Sequence, residues 1–328
     1  MTFGTWGTPG PGASFVSSAP GSASVSNFLM LAICLMAGIA LRRTGRTSDQ
    51  AHVTLNSLVT HISLPALTLH YLHRFEFHSS QLGAVLMPWV LFSIGAMVFF
   101  AAGRAMRLQR QTIGALTLVG GFGNTAFVGL PMIEALYGKD GLPLGLLIDQ
   151  LGSYLALSTV GVTFASVYTS QQNKSVQAIC RQVIAFPPFV AMLLALALLP
   201  IQFPVAFDSS LSRLGDTAAP LALVSVGMQL RVGALREHAR ALYLGLGYKL
   251  LVCPGLAIAV LWLMHAKPGM AGHVVVIESA MPPMIGAGVV ASQAKLDPAL
   301  VSLMIGIGIP IAFSTTPAWT WLYGLVAG

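Results

Sequence analysis

Long apolar runs joined by short polar segments set the pattern of this chain. Ten stretches are long enough to cross a bilayer, near 25–41, 53–72, 82–103, 112–137, 142–168, 178–199, 208–230, 240–264, 271–293 and 298–324. A spanning helix needs about 20 mostly apolar residues, and no stretch shows the alternation of a barrel strand. The pattern predicts an all-α integral membrane protein with ten transmembrane helices. Polar residues intrude most in the second and seventh stretches. Ahead of the first, residues 1–26 are rich in Gly, Ser and Pro and carry no charged side chain. A signal peptide would open with a basic stretch, so this segment is expected to be a disordered tail.

Composition strengthens the membrane reading. Of 328 residues, 55% are hydrophobic and 8% charged, against about 25% charged in soluble domains. A net charge of +7 would suggest nucleic acid in a soluble protein. Here the cations lie in the joints between apolar runs, where they act as topology signals, and no nucleic-acid partner is expected. One set of joints holds 12 Lys and Arg residues (Arg42, Arg43, Arg46, Arg104, Arg107, Arg110, Lys174, Arg181, Arg231, Arg236, Arg240, Lys295) and the other holds 4 (Arg74, Lys139, Arg213, Lys267). Positive charge favours the cytoplasmic side, so both termini are expected outside a cytoplasmic (inner) membrane. Cys34, Cys180 and Cys253 lie in or beside apolar runs without metal-ligand spacing and are expected to be packed thiols. No cofactor is implied.

The two halves of the chain resemble each other. Pro65 matches Pro220 at an offset of 155, and Leu155-Ala156-Leu157-Ser158-Thr159 matches Ile311-Ala312-Phe313-Ser314-Thr315 at 156. These anchors predict a first five-helix repeat over 27–169, a cytoplasmic linker over 170–177 and a second repeat over 178–328. Because five is odd, the second repeat enters the membrane inverted, the arrangement of alternating-access transporters.

The fourth and ninth stretches are interrupted. One contains Gly120, Gly121, Gly123, Asn124, Gly129 and Pro131, and the other Pro282, Pro283, Gly286 and Gly288. In a helix interior Gly costs about 1 kcal/mol against Ala and Pro about 3. Unwound backbone at bilayer depth survives only where protein buries it or a wet cavity accepts it. At the repeat offset Asn124 falls on Ala280, so the two breaks occupy matching places. Helix N-termini at such breaks favour anions. Gly123, Asn124, Thr125, Pro282 and Pro283 are therefore candidate substrate-binding residues. Asn124 leads them because its amide both donates and accepts. A packing kink is the plainer alternative for each break taken singly.

At these residues, Gly123-Asn124-Thr125-x-x-x-Gly129-x-Pro131 with Tyr137-Gly138, and Ala280-Met281-Pro282, the chain resembles the auxin efflux carrier family of plant auxin exporters and bacterial malonate and malate permeases. The resemblance covers 27–324. It implies that helices 4 and 9 cross at their breaks, in a fold of the type found in bile-acid symporters and Na⁺/H⁺ antiporters. It also implies a scaffold of helices 1, 2, 6 and 7, a transport domain of helices 3–5 and 8–10, and a homodimer through the scaffold. Plant members carry Pro where this chain has Gly123, and they have a long loop between the halves where this chain has about ten residues. A small bacterial-type mono- or dicarboxylate is thus expected as substrate rather than auxin.

Charged side chains at bilayer depth cost about 2.5–3.5 kcal/mol on insertion scales and call for a purpose. Asp149 and Glu278 are candidates to carry a proton or hold Na⁺, and Lys249 to offset them or attract an anion. Gln150, next to Asp149, joins the substrate-binding candidates. Structural alternatives are a capped Asp149, a hydrogen-bonded Glu278 and a Lys249 that snorkels to the surface. His61 and Asp216 each precede a matched proline by four residues and are expected to pair if helices 2 and 7 meet. Asn56 is expected to serve packing, Glu134 to lie towards the outer mouth, and the histidines between 70 and 78 to be interfacial. The competing function is a cation/proton antiporter or Na⁺-coupled symporter of the same fold. No HExxH zinc motif occurs, and no enzyme is expected.

Overall fold

In the computed structural model, residues 22–48, 50–76, 78, 81–168, 175–230, 235–266 and 269–327 are described, without side-chain detail at 22–25 and 236. The expected tail over 1–21 and most of the expected linker, 170–174, lie outside them. Among the described residues every regular element is helical, and the one β-bridge is isolated. The chain runs through α1 (Ser22–Arg43), α2 (51–72), α3 (Leu82–Ala105), α4 (110–120), α5 (Thr125–Tyr137), α6 (Lys139–Tyr168), α7 (Val176–Ile184) and α8 (Pro187–Ala197). It continues through α9 (Val205–Gly215), α10 (Ala218–Gln229), α11 (235–263), α12 (Met270–Ser279), α13 (Ile285–Gln293) and α14 (Pro298–Ala327). Among the described residues, five helices, α1, α3, α6, α11 and α14, are each long and apolar enough to cross a membrane, and a sixth span results if α7 and α8 are taken together. The first helix begins at Ser22, so its opening residues take the last part of the stretch expected to be a tail.

Proline shapes several of these helices. Three π-turns, Val59–Ser63, Thr125–Gly129 and Tyr248–Val252, each end two residues before a proline, at Pro65, Pro131 and Pro254. A proline has no N–H to give and its ring crowds the carbonyl four residues back. Widening the preceding turn to the π spacing relieves that crowding without ending the helix. The sixth apolar stretch behaves differently. Expected to be continuous over 178–199, it bends by 69° between α7 and α8, where Pro187 and Pro188 begin α8 in its first turn. The part before the bend carries Arg181, and its Val176 and Ile184 are exposed.

Two sets of contacts organise the packing. In the first, α1 lies on α10 at glycine distance: a Cβ on Gly38 would run into the Val224 carbonyl, and one on Gly227 into the Leu35 carbonyl. Small residues permit such close approach of helix backbones. The Arg42 guanidinium donates to the Met228 carbonyl (2.9 Å). Helix α2 joins α10 through Ser225 Oγ donating to Asn56 Oδ1 (2.5 Å) and a Ser63–Thr217 hydroxyl bond (2.7 Å). It joins α9 through Asp208, which meets His70 at 2.8 Å and Arg74 at 3.1 Å. In the second set, Trp89 on α3 donates to the Leu151 carbonyl of α6 (3.0 Å), and Trp319 on α14 to the Leu250 carbonyl of α11 (2.9 Å). Phe99, Phe122, Leu118, Ile133 and Leu146 are among the largest fully buried side chains.

Several expectations change at this level. Asn56 does serve packing. His61 and Asp216 do not pair: His61 is exposed and its ring bonds to the Ser57 carbonyl of its own helix. Asp216 takes Lys139 from the start of α6 instead (2.5 Å). Cys253 is buried, but Cys180 is exposed on α7 and Cys34 partly so. Among the described residues no group of three or more His, Cys, Asp or Glu is arranged to hold a metal ion.

Candidate functional site

The two interruptions meet. Helix α4 ends at Gly120 and α5 begins at Thr125, while α12 ends at Ser279 and α13 begins at Ile285. Between them the chain leaves the helix, and the two pieces meet antiparallel, with Gly123 facing Pro283. The Asn124 N–H donates to the Pro282 carbonyl (2.8 Å), and the Met284 N–H to the Phe122 carbonyl (3.1 Å). Four backbone groups that the broken helices leave without partners thereby satisfy one another, as buried backbone requires. Pro283 loses nothing by lacking an N–H because the pairing uses only its neighbours. The capping residues Asn124 and Met284 stand at equivalent ends, an offset of 160, where the anchors elsewhere gave 155 and 156. The register that laid Asn124 over Ala280 is corrected by four residues at the breaks.

Asn124 caps α5: its Oδ1 accepts from the Phe127 N–H (3.2 Å). Its Nδ2 is buried and has no partner. Thr125 turns the other way and donates to Asp149 Oδ1 on α6 (2.6 Å). Gln150, next along α6, points to α2 and donates to Thr68 Oγ1 (2.8 Å), leaving its Oε1 buried and unpartnered. Gln150 is therefore a link between α6 and α2, set apart from the paired breaks by its own side-chain direction.

Lys249 enters from α11. It is 2% exposed, and its ammonium donates to the Ser279 carbonyl at the end of α12 (3.2 Å). It does not snorkel. Gly123 makes room for it: a Cβ there would lie 3.0 Å from Lys249 Nζ. Glu278, 3% exposed, lies one residue before Ser279, with both carboxyl oxygens buried and unpartnered. Glycine makes room here too. A Cβ on Gly129 of α5 would collide with the Glu278 carboxyl, and one on Gly145 of α6 would come within 3.4 Å of its Oε1. Asp149 stands one helical turn beyond Gly145 on α6, and Lys249 lines the same crevice as Glu278.

Eight of the nine candidate residues thus converge on the crossing, and Gln150 lies at its edge. Two narrow crevices flank it. Met87, Leu91, Gly123, Ser153, Lys249 and Glu278 line one. Leu67, Ala126, Pro131, Glu134, Gly215 and Ala219 line the other, where α5 faces α2, α9 and α10. Glu134 is only partly buried. Sequence reasoning missed Thr68, Ser153 and the role of Gly129 and Gly145. The glycines carried the one usable signal, since each sits within an apolar run where Ala or Leu would make the better helix.

A family model described as a membrane transport protein matches residues 24–320. An uncharacterized transporter of Methanothermobacter thermautotrophicus is 25% identical over 301 residues, covering 90% of this chain and 97% of that protein. An uncharacterized transporter of Methanocaldococcus jannaschii is 24% identical over 303 residues with the same coverage.

Proposed function

Since the chain belongs to the membrane transport protein family, the auxin efflux carrier family of the motifs above, we propose that it is a secondary carrier of a small organic anion. The substrate class is a mono- or dicarboxylate, moved across the cytoplasmic membrane by alternating access. One observation carries this reading: Asn124 is fixed by its own cap at the meeting of two broken helices while its Nδ2 stays buried and unpartnered. A buried donor without a partner is costly, and a carboxylate oxygen is the acceptor it lacks. The N-terminal ends of α5 and α13 supply partial positive charge near the same point.

In this reading the helices form ten spans in two inverted repeats. Helices α1, α2 and α7–α10 act as the scaffold and the remainder as the moving domain. Two copies associate through the scaffold, with both termini outside. The crevice between α5 and α2, α9 and α10 is the seam along which the parts slide. Thr125 holds Asp149 in place, and Pro282 and Pro283 keep their stretch of backbone extended so that Asn124 stays aimed.

Cation exchange is the second reading, supported by two buried carboxyls, Asp149 and Glu278, beside the crossing. It ranks lower because Thr125 already engages Asp149 and because Leu130 and Ile133 crowd the space around Gly145 and Glu278 with apolar groups. The test is purified protein in liposomes offered labelled mono- and dicarboxylates under imposed proton and Na⁺ gradients. Saturable uptake of at least one acid, lost in Asn124→Asp, is the expected result. Na⁺/H⁺ exchange with no uptake of any acid would put the second reading first.

A further inference from the structure

Asp149, Lys249 and Glu278 are buried around one crevice, two carboxyls and one ammonium. Fully ionised, the set carries one uncompensated negative charge in the interior of a membrane protein, the costly condition for buried charge. One additional positive charge restores neutrality. Asp149 has a hydroxyl donor in Thr125 and is equipped to remain an anion. Glu278 has no donor on either oxygen. The elements packed around its carboxyl contribute Gly129 from α5 and Gly145 from α6, with Leu130 and Ile133 beside the latter. The titratable groups on the surrounding elements are Asp149, one turn beyond Gly145 on α6, and Lys249 of α11, which lines the same crevice. Helix α3 brings Met87 and Leu91 to the adjoining crevice, neither of them titratable.

A metal cation would need several oxygens converging on one point; Na⁺ and its relatives are held by carbonyls and carboxylates together. Around Glu278 the near neighbours are glycine backbone and hydrocarbon, with an ammonium beyond. A proton needs a single oxygen and no coordination sphere. We infer that the trio carries one exchangeable proton, held on the Glu278 carboxyl and reached through the crevice lined by Lys249 and Ser153. Its use as the coupling ion rests on the carrier reading, but its presence does not.

Infrared difference spectroscopy of the purified protein in lipid, comparing neutral with alkaline pH, tests this without any transported substrate. Wild-type protein is expected to show the carbonyl stretch of a buried protonated carboxylic acid, lost on alkalinisation. Glu278→Gln is expected to lack the area of one such carboxyl. Lys249→Met, which leaves two carboxyls and no ammonium, is expected to gain a second and so double the signal. If Glu278→Gln does not fold, the gain in Lys249→Met decides alone. Wild type without a titrating band, a band unchanged in Glu278→Gln, or no gain in Lys249→Met would overturn the assignment. Loss of the band on adding Na⁺ at constant pH would overturn it in favour of a metal cation. A liposome screen in which no acid moves would count against the carrier and leave the infrared result standing.

Discussion

The seam of α1 and α2 against α10 and the crossing of the broken helices are both polar patches inside an apolar protein, but they differ in how their polar groups are satisfied. At the seam, Asn56 accepts from Ser225, Ser63 meets Thr217, and Arg42 reaches the Met228 carbonyl. At the crossing the backbone is satisfied by mutual pairing, yet Asn124 Nδ2, Gln150 Oε1 and both Glu278 oxygens have no partner. The groups named at the seam are paired within the chain. Those at the crossing are all buried and keep capacity for a partner that arrives from outside it.

Substitutions sharpen this contrast, beginning with the largest effect. Gly38→Val drives a side chain into the Val224 carbonyl at the seam. Overpacking against backbone costs about 3 kcal/mol, so the protein is expected to melt well below wild type in detergent and to lose transport with its fold. Asn124→Asp should behave in the opposite way. Asp caps a helix as well as Asn, so melting stays near wild type, while the buried donor disappears and an anion is repelled. Uptake of the acid identified in liposomes is expected to fall at least about tenfold, equivalent to about 1.4 kcal/mol. A wild-type rate in this variant would remove Asn124 from the site.

Ser225→Ala takes one hydroxyl from the paired seam and strips Asn56 Oδ1 of its donor. A loss of about 1 kcal/mol is expected, seen as a modest fall in melting temperature with the transport rate unchanged. A transport defect without a stability defect would show that the seam is more than packing. Lys139→Ala should do least. Its ion pair with Asp216 is nearly half exposed at each end, and such pairs contribute about 0–1 kcal/mol. Melting should shift little, and that little should vanish in high salt.

The sequence was most readable where backbone chemistry is extreme. Glycines at 120, 121 and 123 and the Pro282-Pro283 pair weaken a helix, so both breaks were visible, as was Asn124 as a polar residue within one of them. That the breaks meet was implied by the family resemblance. Their register was not legible. The anchors at Pro65 and Ser158 lie outside the breaks, and a four-residue slip between them leaves no mark in apolar sequence. The bend before α8 was also obscured, because hydropathy averaged across Pro187 and Pro188 reads as one continuous span. Partnerships between distant side chains were the least legible. Nothing near Asp216 in the chain pointed to Lys139, and nothing near Gln150 pointed to Thr68. Such pairs depend on how whole helices are rotated against each other.

That rotation depends on the π-turns. Each one holds a residue more than the α-helical spacing requires, and a residue corresponds to about 100° of helical phase. In α6 the π-turn Ile148–Tyr154 includes Asp149, Gln150 and Ser153. Removing a single residue there would return the helix to ordinary spacing and swing the remainder of α6 by more than a quarter-circle. Ser158 and Gly161, now buried, would turn away from the protein interior, and lipid-facing positions would turn inward. These helices can therefore exchange side chains at many positions but cannot shorten by one residue, so insertions and deletions in homologous chains should fall in the joints.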